Sequence, residues 1–173
     1  MKVPNLVHVK LSVEQCPNTQ EEDDGMSHVP YVSAVGSLMY VMVCTKPSIA
    51  HAVGVLSRFI SKPGKEHWII VKQGFKYLCG INDYGLCYQG GPGLDKVFEI
   101  RGFVDANWSG DLDERMSTSG YVFNLLGGVV SWMSKRQSTM TLSTTKAEYM
   151  VATHASKEAI WLQRLSSSMG LLQ

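Results

Sequence analysis

Residues 102–123 read GFVDANWSGDLDERMSTSGYVF. A strand-like run from Val97 to Val104 leads into this stretch and stops at Asp105, where residues typical of turns begin. The stretch ends inside a second strand-like run, Gly120–Leu126, and a third run, Val129–Met133, follows directly after two glycines. Two short apolar runs around a glycine pair predict an antiparallel β-hairpin. The centre of this region is therefore predicted to be an antiparallel sheet.

Helical patterns lie on both sides of the predicted sheet. Apolar residues recur at intervals of three and four in three segments before it and in one long segment after it. A further short strand is predicted at Tyr84–Tyr88. Helices, then strands, then one covering helix indicate an α+β fold with a mostly antiparallel sheet. The predicted helices are Tyr31–Val43, Pro47–Ser61, Lys65–Leu78 and Thr145–Met169.

Composition excludes several classes of protein. The chain has 173 residues, is 45% hydrophobic and carries a net charge of +1, so it is neither disordered nor a polybasic nucleic-acid binder recognisable from charge. Its four cysteines form no C-x-x-C pair, which argues against a zinc site. With no secretory signal and no continuous apolar span, we expect an intracellular protein that does not enter a membrane.

Two acidic residues are placed where a metal site could form. Asp105 follows a strand, and Glu148 lies in the first turns of the last predicted helix. Paired carboxylates suit hard divalent cations. Two structural alternatives stay open at this point. Asp105 could have only a structural role in the turn. Glu148 could be the last residue of a capping box whose N-cap is Thr145, where it would only satisfy backbone donors. Asp111 and Asp113, close to Asp105 in sequence, are interpreted as loop or turn acids.

Several long motifs resemble the C-terminal part of Ty1/copia-type retrotransposon Pol polyproteins, and the resemblance covers nearly the whole chain. Residues 102–123 resemble the RNase H region of that family, and two stretches upstream resemble the segment that joins reverse transcriptase to RNase H. The other motifs are VSWMSKRQ at 130–137, LSTTKAEY at 142–149, PYVSAVGSLMY at 30–40 and KPSIAHAV at 46–53.

The resemblance implies a domain layout and a metal site. We expect an irregular leader at 1–29, a helical connection segment at 30–80 and a truncated RNase H-like domain at 81–173. In the family, the Asp of the first strand and the Glu of the first helix bind Mg²⁺, and these correspond to Asp105 and Glu148. The family's third ligand lies on a fourth strand beyond that helix. Since the sequence stops at Gln173, we expect a vestigial site with weak or absent Mg²⁺ binding and an open sheet edge.

Three functions remain open from the sequence. The first is a catalytically incomplete RNase H-like fragment, whose ancestral activity is Mg²⁺-dependent cleavage of RNA in RNA–DNA hybrids. The second is a repurposed interaction protein with a host protein as partner, such as an RxLR-type secreted effector of a plant pathogen that modulates host cell death, although the sequence contains no Arg-x-Leu-Arg. The third is an active RNase H completed by a second chain. Self-association through the open sheet edge is expected in addition.

Overall fold

The structure is a computed structural model that describes Leu6, residues 9–89 and residues 99–170. It divides into two compact units. The helical unit comprises Met1–Gly85 and Asp111–Glu114, and the sheet unit comprises Leu86–Gly110 and Arg115–Gln173. Helices together with a three-stranded antiparallel sheet and a long C-terminal helix confirm the predicted α+β class.

The described residues of the helical unit form four α-helices. Short 3₁₀ turns stand at Val13–Gln15, Pro47–Ile49 and Ser57–Phe59. The predicted helix at 47–61 is therefore wrong as a continuous element. Ser57 Oγ donates to the Gly54 carbonyl at 2.9 Å, a local bond that competes with the helical ladder where α3 gives way to a 3₁₀ turn. The helices are α1 (Gln20–Ser27), α2 (Tyr31–Cys44), α3 (Ala50–Leu56) and α4 (Lys65–Gly80).

The segment expected to be an irregular leader contains a helix, α1. Its acidic cluster forms the first turn of α1, where negative charge is favoured by the helix dipole. Thr19 caps this helix, its side chain accepting a hydrogen bond from the Glu22 amide. Leu6, Val9 and Leu11 are buried in the core of the helical unit. The described residues of this segment thus contribute both a helix and apolar packing.

The core of the helical unit is built around α2 and α3. On α2, the buried core residues are Tyr31, Val35 and Leu38. The same core includes Ile49, Val53 and Leu56. The Tyr31 hydroxyl donates to the Leu56 carbonyl at 2.9 Å, which satisfies a buried polar group.

A buried histidine fixes the start of α4. His67 stacks on Phe59 with ring centroids 4.1 Å apart, and its Nδ1 accepts a hydrogen bond from the Gly64 amide at 2.7 Å. A Cβ at Gly64 would lie 1.9 Å from the Gln15 carbonyl oxygen, so this close approach requires glycine. Burial lowers the pKa of His67 because the charged imidazolium would lose its hydration.

In the sheet unit, the described residues form a sheet with the strand order β1-β2-β3 and both pairs antiparallel. Its strands are β1 (Ile100–Asn107), β2 (Thr118–Leu125) and β3 (Gly128–Arg136), and its helix is α5 (Thr144–Ser168). The predicted hairpin is confirmed, but its turn lies one residue earlier than expected. Leu126 and Gly127 both have positive φ, 52° and 82°, as the tight turns that match strand twist require.

The strand predicted at Tyr84–Tyr88 is wrong. Residues 84–88 are not assigned to a strand. Two isolated hydrogen bonds join this part of the chain to the hairpin: the Gln89 amide donates to the Leu126 carbonyl, and the Tyr88 hydroxyl donates to the Val129 carbonyl. Part of the run that begins at Val97 and the glycines before it, residues 90–98, lie outside the described residues.

Helix α5 covers one face of the sheet. Phe123 is buried against Ala155 and Leu162 of the helix. At the start of α5, the Gln137 side-chain amide donates both to Ser119 Oγ at 2.9 Å and to the Ala147 carbonyl at 3.1 Å. These contacts hold the N-terminal end of the helix on the sheet.

No single helix in the described ranges is long and apolar enough to cross a membrane. Helices α1 and α2 together meet the length and composition test, but only as a pair bent by 57°.

Candidate functional site

Asp105 lies in the edge strand of the sheet, on the face turned away from α5. Gly102 and Phe123 are direct partners in the ladder, and a Cβ built at Gly102 would meet the Phe123 ring. Partners in an antiparallel pair point to the same face, and successive residues of a strand alternate. Gly102 therefore faces the helix side with Phe123, and Asp105, three positions later, faces the other side, where it is exposed.

Glu148 lies in the second turn of α5 and is exposed. The helix begins at Ser143, whose side chain accepts a hydrogen bond from the Lys146 amide at 3.3 Å. A capping box that begins at Thr145, one of the alternatives for Glu148, is therefore wrong, because Thr145 is already helical. By helical spacing Glu148 shares a face of α5 with Ala155 and Ser166, which are buried, but Glu148 itself is exposed.

In the part of the chain that the structure describes, Asp105 and Glu148 have no third potential metal ligand beside them. Strand alternation turns Asp105 away from α5, the helix that carries Glu148. Within the described residues, no group of three or more His, Cys, Asp or Glu side chains could hold a metal ion. Mg²⁺ requires near-octahedral oxygen ligation. This donor set does not fit such a site, and no catalytic step through a metal follows from it.

Asp111 forms a buried ion pair with Arg58, which its position in the sequence does not predict. Its side chain is 2% exposed and accepts a hydrogen bond from Arg58 Nη2 at 2.6 Å. The Asp113 amide donates to Asp111 Oδ1, which is the local turn chemistry expected of this loop. Asp113 itself accepts from Arg58 at 3.3 Å and from the Val13 amide at 2.9 Å. The ion pair anchors residues 111–114 within the helical unit.

Comparison with known proteins gives matches along the whole chain. The Pol polyprotein from transposon TNT 1-94 of Nicotiana tabacum is 50% identical over 173 residues, which are all of this chain and 13% of that protein. The Pol polyprotein from transposon RE2 of Arabidopsis thaliana is 35% identical over 141 residues, or 82% of this chain and 9% of that protein. No family model and no solved structure matches the chain.

A much shorter relative also matches. Secreted RxLR effector protein 161 of Plasmopara viticola is 50% identical over 137 residues, which cover 79% of this chain and 94% of that protein. The chain belongs to the copia-type retrotransposon Pol polyprotein family. It spans only about an eighth of the tobacco polyprotein.

Proposed function

We propose that the chain is an RNase H-like fragment of a copia-type Pol polyprotein that does not cleave RNA–DNA hybrids on its own. The observation that carries this proposal is the arrangement of the two carboxylates. Asp105 and Glu148 are exposed, and the strand alternation turns Asp105 away from the helix that carries Glu148. Two ions held close together by several carboxylates are what hydrolysis of a phosphodiester by this route requires. Two solvated carboxylates without a third ligand bind Mg²⁺ weakly.

The test is cleavage of a labelled RNA–DNA hybrid in Mg²⁺ and then in Mn²⁺. The wild-type chain, shown to be folded by circular dichroism, is compared with Asp105→Asn, Glu148→Gln and the matched exposed control Asp83→Asn. We expect background cleavage in all four samples and no change on adding EDTA. Metal-dependent cutting that Asp105→Asn abolishes and Asp83→Asn retains would instead establish an active enzyme, completed by a second chain.

A second candidate function is favoured by the effector relative. That protein matches this chain over nearly its whole length, so the shared region makes up almost all of a protein named as a secreted effector. We propose, as the alternative, that this chain acts by contacting a host protein after secretion. A surface function of this kind needs the fold but neither Asp105 nor Glu148.

Transient expression in plant leaves tests the alternative. We expect the folded chain to change the extent of induced cell death. Asp105→Asn should act like the wild type, whereas Phe123→Ala, which removes the main core side chain of the sheet unit, should be inactive at a matched protein level. Equal cell death with the wild-type chain and with an empty vector would contradict the effector function.

A further inference from the structure

The buried histidine at the start of α4 is joined to an N-terminal segment of the helical unit. His67 is fully buried, and its Nδ1 accepts a hydrogen bond from the Gly64 amide at 2.7 Å. Gly64 in turn lies against the backbone of the first 3₁₀ turn, where a Cβ at this glycine would collide with the Gln15 carbonyl. We call residues 9–16 the N-terminal strap. A change at His67 is therefore passed to the strap through Gly64.

The N-terminal strap is packed as part of the core of the helical unit. Its side chains Val9 and Leu11 are buried in the same cluster as residues of α2, α3 and α4. The Asp113 carboxylate also holds the strap, because it accepts a hydrogen bond from the Val13 amide at 2.9 Å. Detachment of the strap would expose its apolar side chains to water, which is unfavourable.

The geometry around His67 fits only the neutral imidazole. Since Nδ1 is an acceptor, the single ring proton is assigned to Nε2, which is buried and has no hydrogen-bond partner in the described residues. A second proton would place an N–H group on Nδ1, directly opposite the N–H of Gly64. The Phe59 ring, stacked at 4.1 Å, offers no acceptor for it. Protonation would thus bury a positive charge and set two donors against each other.

The charges around His67 do not remove this penalty. Burial has the largest effect and lowers the pKa of His67 below its ordinary value of 6.5. The Ser12 backbone and the Glu66 and Asp113 carboxylates act in the opposite direction without overcoming it. Arg58 Cζ lies 5.4 Å from the centre of the stacked phenylalanine ring and adds a positive charge there. The titratable and charged side chains on the elements around the ring are Cys16, Arg58, Lys62, Glu66, Asp111 and Asp113.

We propose that His67 is an acid-sensitive switch: protonation of its imidazole breaks the contact between Nδ1 and Gly64 and detaches the N-terminal strap from the start of α4. The detached state binds one proton more than the attached state. Its population therefore grows as the pH falls below about 6.5, by at most about tenfold per pH unit. Carboxyl groups ordinarily titrate near pH 4, so the range between about pH 7.5 and 5.5 isolates the effect of histidines.

Hydrogen exchange followed by mass spectrometry tests the switch at about pH 7.5, 6.5 and 5.5, with each rate corrected for the intrinsic exchange rate at that pH. The key variant is His67→Gln, because glutamine at this position of a capping box can accept from the Gly64 amide but does not titrate. The control is His28→Gln, which removes an exposed histidine of the same unit. We expect protection of residues 9–16 to fall by up to about tenfold between about pH 6.5 and 5.5 in the wild type and in His28→Gln. In His67→Gln it should stay constant.

The comparison concerns the slope with pH, so a constant loss of stability in His67→Gln does not affect it. Constant protection in the wild type overturns the proposal, and so does an equal loss in the wild type and His67→Gln. If His67→Gln does not fold, nuclear magnetic resonance of the wild type replaces it. The imidazole signals of His67 and the amide signal of Gly64 should then change with the same midpoint as the loss of protection in the strap. A separate midpoint for the strap would show that another group releases it.

Discussion

Replacing Phe123 by alanine should destabilise the sheet unit by about 3–5 kcal/mol, the usual cost of removing a large buried aromatic side chain. In the described part of this unit, the buried cluster consists of Phe123, Ala155 and Leu162, and Phe123 is its largest side chain; Tyr121, only partly buried, packs against it. Since whole domains are stable by about 5–15 kcal/mol, this loss removes much of the unit's stability.

Urea denaturation followed by far-ultraviolet circular dichroism measures the effect. The matched control is Phe103→Ala, which removes the same ring from the exposed face of the same sheet. At a protein concentration low enough to prevent self-association, it should change the stability by less than about 1 kcal/mol. Equal losses in the two variants would show that Phe123 does not form the core.

Asp111→Ala should destabilise the helical unit by about 3 kcal/mol, because it leaves Arg58 without its buried partner. Arg58 retains Asp113 at 3.3 Å, which keeps the expected loss at the lower end of the range for broken buried pairs. The Asp113 amide also loses its acceptor. Residues 111–114 should therefore become more accessible to proteases.

A double-mutant cycle with Arg58→Met separates the ion pair from local effects of the loop. We expect the double variant to be more stable than Asp111→Ala alone, since it leaves no guanidinium without its buried partner. Asp83→Asn, an exposed acid in the same unit, is the control and should change stability by no more than about 0.5 kcal/mol. Strictly additive losses in the cycle would contradict the pairing of Arg58 with Asp111.

The parts of the fold with strong local signals could be predicted from the sequence. Helix α5 has a serine cap and a long helical repeat, and the hairpin has its glycine pair, so both were found to within a few residues. Helix α1 was missed because its sequence is acidic and mostly exposed, with Met26 as its buried residue, so no apolar repeat indicates it.

The candidate site depended on information that spacing does not contain. The face on which Asp105 lies follows from the pairing of Gly102 with Phe123, which only the strand register determines. Likewise Asp111 and Arg58 are 53 residues apart, and no local pattern connects them. The resemblance to Pol polyproteins identified the family correctly, whereas the arrangement of the acids had to come from the three-dimensional structure.

The unequal cores of the two units bear on how long the chain persists in a cell. The helical unit buries residues from its N-terminal segment, α2, α3 and α4 in one cluster, whereas the buried cluster of the described sheet unit is smaller and consists of Phe123, Ala155 and Leu162. A unit with a smaller buried cluster opens more often, and proteases act on the open form. Turnover of this protein should therefore begin in the sheet unit.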